Sequence, residues 1–203
     1  MHDEGRADRV IRFIRRLKHT KDKWAGVPFD LRPWQEQHTR EIFGTVRDDG
    51  LRQYRTVYWS TARKNGKSEI GAALALYLLC ADGVAGAEVY SAASDREQAS
   101  IVFRVAAQMV RQDKTLRRYC KIIDSQRTIH YTPNGSVYRA LSAEVASKHG
   151  YNPSAIIFDE LHAQPNRDLW DVLTTGSGTR AEPLVFAITT AGFDRNSICW
   201  EQY

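Results

Sequence analysis

The chain has few cysteines, no long apolar run and no low-complexity linker, and each absence excludes a class of protein. Its three cysteines, Cys80, Cys120 and Cys199, lie far apart without C-x-x-C spacing, which argues against a zinc site or a disulfide framework. No apolar stretch approaches the ~20 residues that cross a bilayer. The first residues also lack the apolar core of a signal peptide. We therefore expect reduced thiols, no membrane association and a cytosolic setting.

The remaining composition is that of an ordinary globular protein with a basic bias. Of the 203 residues, 42% are hydrophobic and 26% are charged, which suits a single substantial core. The net charge of +5 permits a polyanionic partner without requiring one. Much of the excess lies in two clusters, Arg12, Arg15, Arg16 and Lys18, and then Arg111, Lys114, Arg117, Arg118 and Lys121. Either cluster could instead be a solvated helix face, so both interpretations stay open.

Hydrophobic periodicity predicts helices that alternate with strands. Val10, Ile11, Ile14 and Leu17 recur at helical spacing, and Pro33 suits the first turn of a second helix ending near residue 43. An Asn-Gly turn at 134–135 predicts a β-hairpin. The pattern predicts further helices at 69–80 and 95–111, strands at 56–59, 87–92, 155–158 and 184–188, and hairpin strands at 126–130 and 136–141. This alternation indicates one α/β domain with a mainly parallel sheet.

Residues 60–68, with the sequence STARKNGKS, have the form of a phosphate-binding loop. The usual pattern is G-x-x-x-x-G-K-[ST], and Thr61 replaces its first glycine. An apolar strand precedes the loop and an alanine- and leucine-rich helix follows it, so backbone N–H groups at the helix start would face a polyphosphate. Lys67 would reach the β- and γ-phosphates, and the Ser68 hydroxyl would ligate Mg²⁺. The competing interpretation is a surface G-K-S tripeptide that arose by chance.

Two further strand ends carry candidate chemistry. The apolar run 155–158 ends in Asp159 and Glu160, at the sheet edge where open α/β sheets bind ligands. Asp159 would hold Mg²⁺ and Glu160 would act as general base on the attacking water. Thr189 and Thr190 end the next apolar strand, where they would sense the γ-phosphate or simply cap a turn. His130 and His162 are expected to be structural or solvent-facing.

Taken together, these segments resemble one known family. They are the F-I-x-x-L helix, Trp24-Ala25-Gly26, Leu31-x-Pro33-Trp34-Gln35, Ala62-Arg63-Lys64-Asn65-Gly66-Lys67-Ser68, Asn152-Pro153-Ser154, Asp159-Glu160-Leu161-His162 and Thr189-Thr190-Ala191-Gly192. The chain thus resembles the ATPase domain of the large terminase subunit of tailed bacteriophages. The resemblance implies a phosphate-loop NTPase of the additional-strand, catalytic-glutamate type with a β-hairpin insertion. It further implies an N-terminal helical segment at 1–50, an ATPase core at 51–203, and ATP and Mg²⁺ as ligands.

The resemblance also implies roles that residue spacing alone does not give. Gln35 matches an adenine-reading glutamine, although the residue pattern alone would make it a solvent-facing glutamine on a helix. Arg63 matches a basic residue suited to contacting the γ-phosphate or to linking the loop to the carboxylates. Thr189 and Thr190 match a motif that couples hydrolysis to DNA gripping. Lys148 and His149 occupy the place where the family has a basic finger that acts on the neighbouring subunit, although an arginine would be expected there. The nucleotide-binding loop comprises Thr61, Ala62, Arg63, Lys64, Asn65, Gly66, Lys67 and Ser68.

The function implied by the resemblance is that of a motor that moves double-stranded DNA into a procapsid. Its partners would be DNA, the portal protein, the small terminase subunit and other copies of the chain in a ring, with a monomer in isolation and the host cytoplasm as location. The nuclease domain of full-length members is expected to be absent from this chain. A helicase-like DNA-dependent ATPase is one alternative, although no arginine motif of a second helicase domain is evident. A nucleotide-binding assembly module without turnover is another, and the retained Lys67, Ser68, Asp159 and Glu160 argue against it.

Overall fold

A computed structural model describes residues 1–142, 150–190 and 194–203, with Arg96 described for its backbone only. The helices of this part of the chain are α1 (Glu4–Arg16), α2 (Pro33–Gly44), α3 (Lys67–Cys80), α4 (Arg96–Gln112), α5 (Lys114–Tyr119), α6 (Asp168–Gly176) and α7 (Ile198–Glu201). The strands are β1 (Thr56–Ser60), β2 (Glu88–Ala93), β3 (Cys120–Ile123), β4 (Thr128–Tyr131), β5 (Ser136–Ser142), β6 (Ala155–Asp159) and β7 (Leu184–Thr189). None of these helices is long and apolar enough to cross a membrane.

All seven strands form one sheet in the order β1-β7-β6-β2-β5-β4-β3. The five strands from β1 to β5 along this order pair in parallel, and β4 and β3 continue the sheet as antiparallel strands. Strand β7 therefore separates the strand that leads into the phosphate-binding loop from the strand that ends in Asp159 and Glu160. This order confirms the predicted α/β fold with one additional strand between the two motif strands.

The predicted hairpin is confirmed, but it is continuous with the main sheet. Strands β4 and β5 meet at a turn in which Gly135 has φ +71°, a left-handed value that favours glycine. Strand β5 also pairs in parallel with β2, which makes the hairpin the outer part of the central sheet. Strand β3 and helix α5 have no clear pattern in the sequence, because their charged residues read only as a basic cluster. Residues 126 and 127, predicted as strand, instead belong to a turn in which Arg127 has φ +51°.

Helices cover both faces of the sheet. Helix α3 is apolar on nearly every side and is buried from Ile70 to Leu79, where it packs with α4 against one face of the sheet. Helix α6 covers the other face through Leu169, Trp170 and Leu173. Helices α1 and α2 pack against α3 in the same core, as the amphipathic pattern of α1 predicts for that helix. The phosphate-binding loop is therefore followed by a buried helix, whereas β1 before it is an edge strand in which only Trp59 is buried.

Candidate nucleotide-binding site

The motif residues meet at one edge of the sheet, where β1, β7 and β6 end. In the strand register, Ser60 lies opposite Thr189, and Asp159 lies opposite Ile188. The backbone N–H of Thr61 donates to the carbonyl of Thr189 at 3.0 Å, and the N–H of Glu160 donates to the carbonyl of Ile188 at 2.9 Å. Because the carboxyl ends of parallel strands point the same way, three segments far apart in sequence share one small region.

The phosphate-binding loop has a backbone shaped by two left-handed residues. Lys64 has φ +68° and Gly66 has φ +74°. Helix α3 begins at Lys67, two residues earlier than predicted, so Lys67 and Ser68 lie in its first turn. Backbone N–H groups at a helix start have no intrahelical partner and carry the positive end of the helix dipole. The loop is therefore suited to binding a phosphate group.

Lys67 and Glu160 form an ion pair at the centre of the site. The Lys67 side chain is 6% exposed, and its Nζ lies 3.3 Å from Oε1 of Glu160. A buried ammonium requires such a partner, because its desolvation is costly when unpaired. The contact therefore brings together the predicted phosphate-binding lysine and the predicted general base.

Ser68 and Asp159 form a pair of oxygen groups that fits a divalent cation. The Ser68 hydroxyl donates to Oδ2 of Asp159 at 3.4 Å. The second carboxylate oxygen, Oδ1, is buried and has no hydrogen-bond partner among the described residues. Burial and the neighbouring Glu160 charge raise the pKa of Asp159 to about 6, against the opposing effects of Ser68 and Lys67. An unpartnered buried carboxylate oxygen beside a hydroxyl is the donor chemistry that Mg²⁺ prefers, so the residues present fit this ion.

Glu160 is held in place by its backbone and by its other carboxylate oxygen. Its φ of +53° and ψ of +57° are left-handed, a conformation that costs a non-glycine residue about 1–3 kcal/mol. Its Oε2 accepts from the backbone N–H of Thr190 at 3.3 Å and from the Thr190 hydroxyl at 3.4 Å. The structure thus links the predicted base directly to the predicted coupling residue.

His162 belongs to the same cluster, although the sequence analysis gave it no part in the site. Its Nδ1 lies 3.2 Å from Oε2 of Glu160 and 3.0 Å from Oγ1 of Thr189. In the sequence, the one sign that His162 could belong to the site is its position two residues after Glu160. No second ligand at metal-type spacing accompanies it. The contact with Thr189 spans 27 residues and becomes visible only when β6 and β7 pair.

Gln35 connects helix α2 to the phosphate-binding loop. Its Oε1 accepts from the backbone N–H of Arg32 at 3.0 Å, and its Nε2 donates to the carbonyl of Asn65 at 3.2 Å. Gln35 is 5% exposed. A primary amide has a second N–H and a second acceptor lone pair, so these contacts leave capacity for a further partner.

Other predicted site residues lie on the open side of the loop or outside the described part of the chain. Ala62, Arg63 and Lys64 are exposed, and Asn65 caps the loop internally by donating to the Ala62 carbonyl at 3.3 Å. Arg63 makes no ion pair with a carboxylate of the described residues. Lys148 and His149, the predicted trans-acting finger, lie in 143–149, outside the described ranges.

Sequence comparison identifies proteins to which this chain is similar. The terminase large subunit of Enterobacteria phage HK97 is 33% identical over 189 residues, which cover 91% of this chain and 36% of that protein. The chain thus spans little more than a third of this curated relative. Protein YmfN of Escherichia coli strain K12 is 36% identical over 53 residues, covering 26% of this chain and 12% of that protein.

Solved structures show the same fold. The crystal structure of the HK97 bacteriophage large terminase matches 98% of this chain and 40% of its own chain, with a TM-score of 0.83 and 30% identity. The large terminase ATPase domain of Thermus phage P74-26 matches 81% of this chain and 72% of its own, with a TM-score of 0.57 and 19% identity. Residues 33–203 match the protein family described as the terminase large subunit, ATPase domain. The chain therefore belongs to the ATPase-domain family of terminase large subunits.

Proposed function

We propose that this chain binds ATP with Mg²⁺ at the edge formed by β1, β7 and β6, and that it hydrolyses the nucleotide. The contact between Lys67 and Glu160 is the observation that carries the proposal. A carboxylate 3.3 Å from the loop lysine lies where a nucleophilic water beside the γ-phosphate can be activated. A protein that only binds nucleotide has no need for a glutamate in a strained backbone at this position.

Each residue of the site then has a distinct role. Backbone N–H groups of the loop and the Lys67 ammonium bind the phosphates, while Ser68 and Asp159 hold the metal ion. Mg²⁺ supplies positive charge that offsets the charge developing on the phosphate oxygens. Glu160 accepts a proton from the attacking water. The water oxygen forms a bond to the γ-phosphorus while the bond from that phosphorus to the bridging oxygen breaks, and ADP leaves.

Gln35 and Arg63 complete the proposed nucleotide contacts. The free amide positions of Gln35 would pair with the adenine edge, and its bond to Asn65 would transmit base binding to the loop. Exposed Arg63 would contact the γ-phosphate from the open side of the loop. The trans-acting role of Lys148 and His149 stays a proposal from the family pattern.

Hydrolysis would drive translocation of double-stranded DNA into a procapsid, in a ring of copies that also contacts the portal protein and the small terminase subunit in the host cytoplasm. The exposed basic cluster of α4, α5 and β3 supports a DNA partner, since it can contact phosphates without reading sequence. Its members are Arg111, Lys114, Arg117, Arg118 and Lys121. Affinity for DNA of any sequence should then fall steeply with salt.

The proposal is tested by Glu160→Ala, with Glu4→Ala as the control. Glu4 is an exposed carboxylate on α1 and plays no part in the site. Glu160→Ala should abolish ATP hydrolysis while ATP affinity, measured by calorimetry, stays nearly unchanged. Hydrolysis at the wild-type rate by Glu160→Ala would contradict the catalytic assignment. Absence of Mg²⁺-dependent turnover in the wild-type chain and in a DNA-bound ring would favour the assembly-module alternative.

A further inference from the structure

His162 lies between the proposed general base and the end of β7. The left-handed backbone of Glu160 turns the chain sharply after β6, and the next residues form a short 3₁₀ helix, Leu161–Ala163. This turn places the imidazole over the carboxyl end of β7. The His162 side chain is 22% exposed and that of Glu160 is 30% exposed, so their contact is largely shielded from solvent.

The hydrogen-bond pattern around Thr189 and Glu160 favours a hydrogen on Nδ1 of His162. The Thr189 hydroxyl donates its single proton to the carbonyl of Thr190 at 2.9 Å. Its oxygen is then an acceptor, and it receives the backbone N–H of His162 at 3.2 Å. Nδ1 of His162 lies 3.0 Å from the same oxygen, where a hydrogen on Nδ1 can be donated to it.

The same Nδ1 faces the catalytic carboxylate. Oε2 of Glu160 lies 3.2 Å away and, as a carboxylate oxygen, can only accept. A hydrogen on Nδ1 thus faces Glu160 and Thr189, and Oγ1 of Thr190 lies slightly farther away, at 3.4 Å. A rigid imidazole that connects both groups fixes the carboxylate relative to the strand end.

We propose that His162 is a positioning residue that holds Oε2 of Glu160 and ties it to Thr189, so that the base and the end of β7 move together. The inference rests on the proposed role of Glu160 as general base. Lys67 holds the other oxygen, Oε1, so the two contacts define the orientation of the carboxylate. No hydrogen bond or ion pair joins His162 to Ser68 or Asp159 among the described residues. The effect of His162 should therefore fall on turnover rather than on nucleotide binding.

Three substitutions separate the contribution of the Nδ1 hydrogen bond to turnover from that of the size of the ring. In His162→Asn the amide nitrogen takes the place of Nδ1, whereas in His162→Gln the amide lies near the place of Nε2. Hydrogen bonds to charged groups are strong, so His162→Ala and His162→Gln should lower kcat about tenfold or more. His162→Asn should retain kcat within about threefold, because a donor remains in reach of the carboxylate. The KM for ATP should be unchanged in all three.

His130→Ala serves as the control, since His130 lies on β4 away from the site. Wild-type kcat in His162→Ala, or a loss in His162→Asn as large as that in His162→Ala, would overturn the proposal. Glu160→Gln distinguishes a failure of the proposed function from a failure of the positioning role of His162. If Glu160→Gln still hydrolyses ATP, the proposed function fails; if it is inactive while every His162 variant is normal, only the positioning role fails.

A second measurement does not depend on turnover. Nitrogen–proton NMR of the His162 ring should show a hydrogen on Nδ1 in the wild-type chain. Thr189→Val removes the hydroxyl acceptor and should shift the Nδ1 signal. A neutral ring with its hydrogen on Nε2 in the wild-type chain would overturn the proposal.

Discussion

Replacing Arg52 by alanine should destabilise the whole domain, because this arginine joins three segments inside the protein. Its side chain is 2% exposed, and its Nη2 contacts both carboxylate oxygens of Asp82 at 2.8 and 2.9 Å. Its backbone N–H donates to the Glu182 carboxylate and its Nη1 donates to the Glu182 carbonyl, while its guanidinium lies 5.1 Å from the ring centre of Phe43. One residue thus connects helix α2, the end of α3 and the start of β7.

The size of the effect follows from the burial of the partners. The Asp82 side chain is 9% exposed, so removal of the Arg52 side chain leaves a shielded carboxylate without its ion-pair partner. Glu182 keeps its bonds from the backbone N–H of residue 52 and from Arg6, and it loses only a nearby positive charge. Breaking a buried ion pair on one side costs about 3–5 kcal/mol. A domain of this size loses about 2–4 °C in Tm per kcal/mol, so Tm should fall by about 6–20 °C.

Urea unfolding followed by circular dichroism measures this loss directly. Arg111→Ala is the matched control, because Arg111 makes a bidentate pair with Asp124 but is 46% exposed. Surface pairs contribute about 0–1 kcal/mol, so this control should change little. In the double variant with Asp82→Asn, the cost should be smaller than the sum of the single costs. An Arg52→Ala variant as stable as Arg111→Ala would refute the reasoning.

Two further predictions concern the nucleotide pocket and the acid side of the stability curve. Gln35→Ala should weaken ATP affinity about tenfold by calorimetry, because the loop contact and the proposed adenine contact are both lost, and an unchanged Kd would contradict this. Burial tends to raise the pKa of Glu182, but hydrogen bonds from the Arg52 N–H and from Arg6 outweigh it and hold the pKa below its ordinary range. The resulting stabilisation is present above the ordinary value of about 4.3 and disappears as pH falls through the lower folded-state pKa. The stability advantage of wild type over Glu182→Gln should therefore shrink in acid, and a constant difference would oppose the assignment.

Local patterns in the sequence predicted the elements that carry the nucleotide motifs. Two motifs can be recognised from neighbouring residues alone. One is Gly66-Lys67-Ser68 between an apolar strand and an alanine-rich helix, and the other is Asp159-Glu160 after an apolar strand. The structure places both motifs at one sheet edge, as the parallel α/β pattern predicts. This part of the site was predictable because strand and helix periodicity are local properties.

The remaining features depend on pairing between distant segments. The contact of His162 with Thr189 exists only because β6 lies beside β7, and that of Gln35 with Asn65 only because α2 packs near the loop. Strand β3 is short and carries a lysine within a basic run, so its residues show only a weak strand pattern. Its pairing with β4 makes it a strand in spite of that pattern. Such contacts are set by tertiary packing, to which sequence periodicity gives no direct access.

The central claim is that Glu160 activates the attacking water for hydrolysis, whereas the loop N–H groups and Lys67 bind the phosphates. The most direct measurement is the fate of radiolabelled ATP bound to wild type and to Glu160→Gln in the presence of Mg²⁺. Wild type should convert the bound nucleotide to ADP and phosphate, whereas Glu160→Gln should retain it as intact ATP at similar occupancy. Conversion to ADP at equal rates in both proteins would contradict the account.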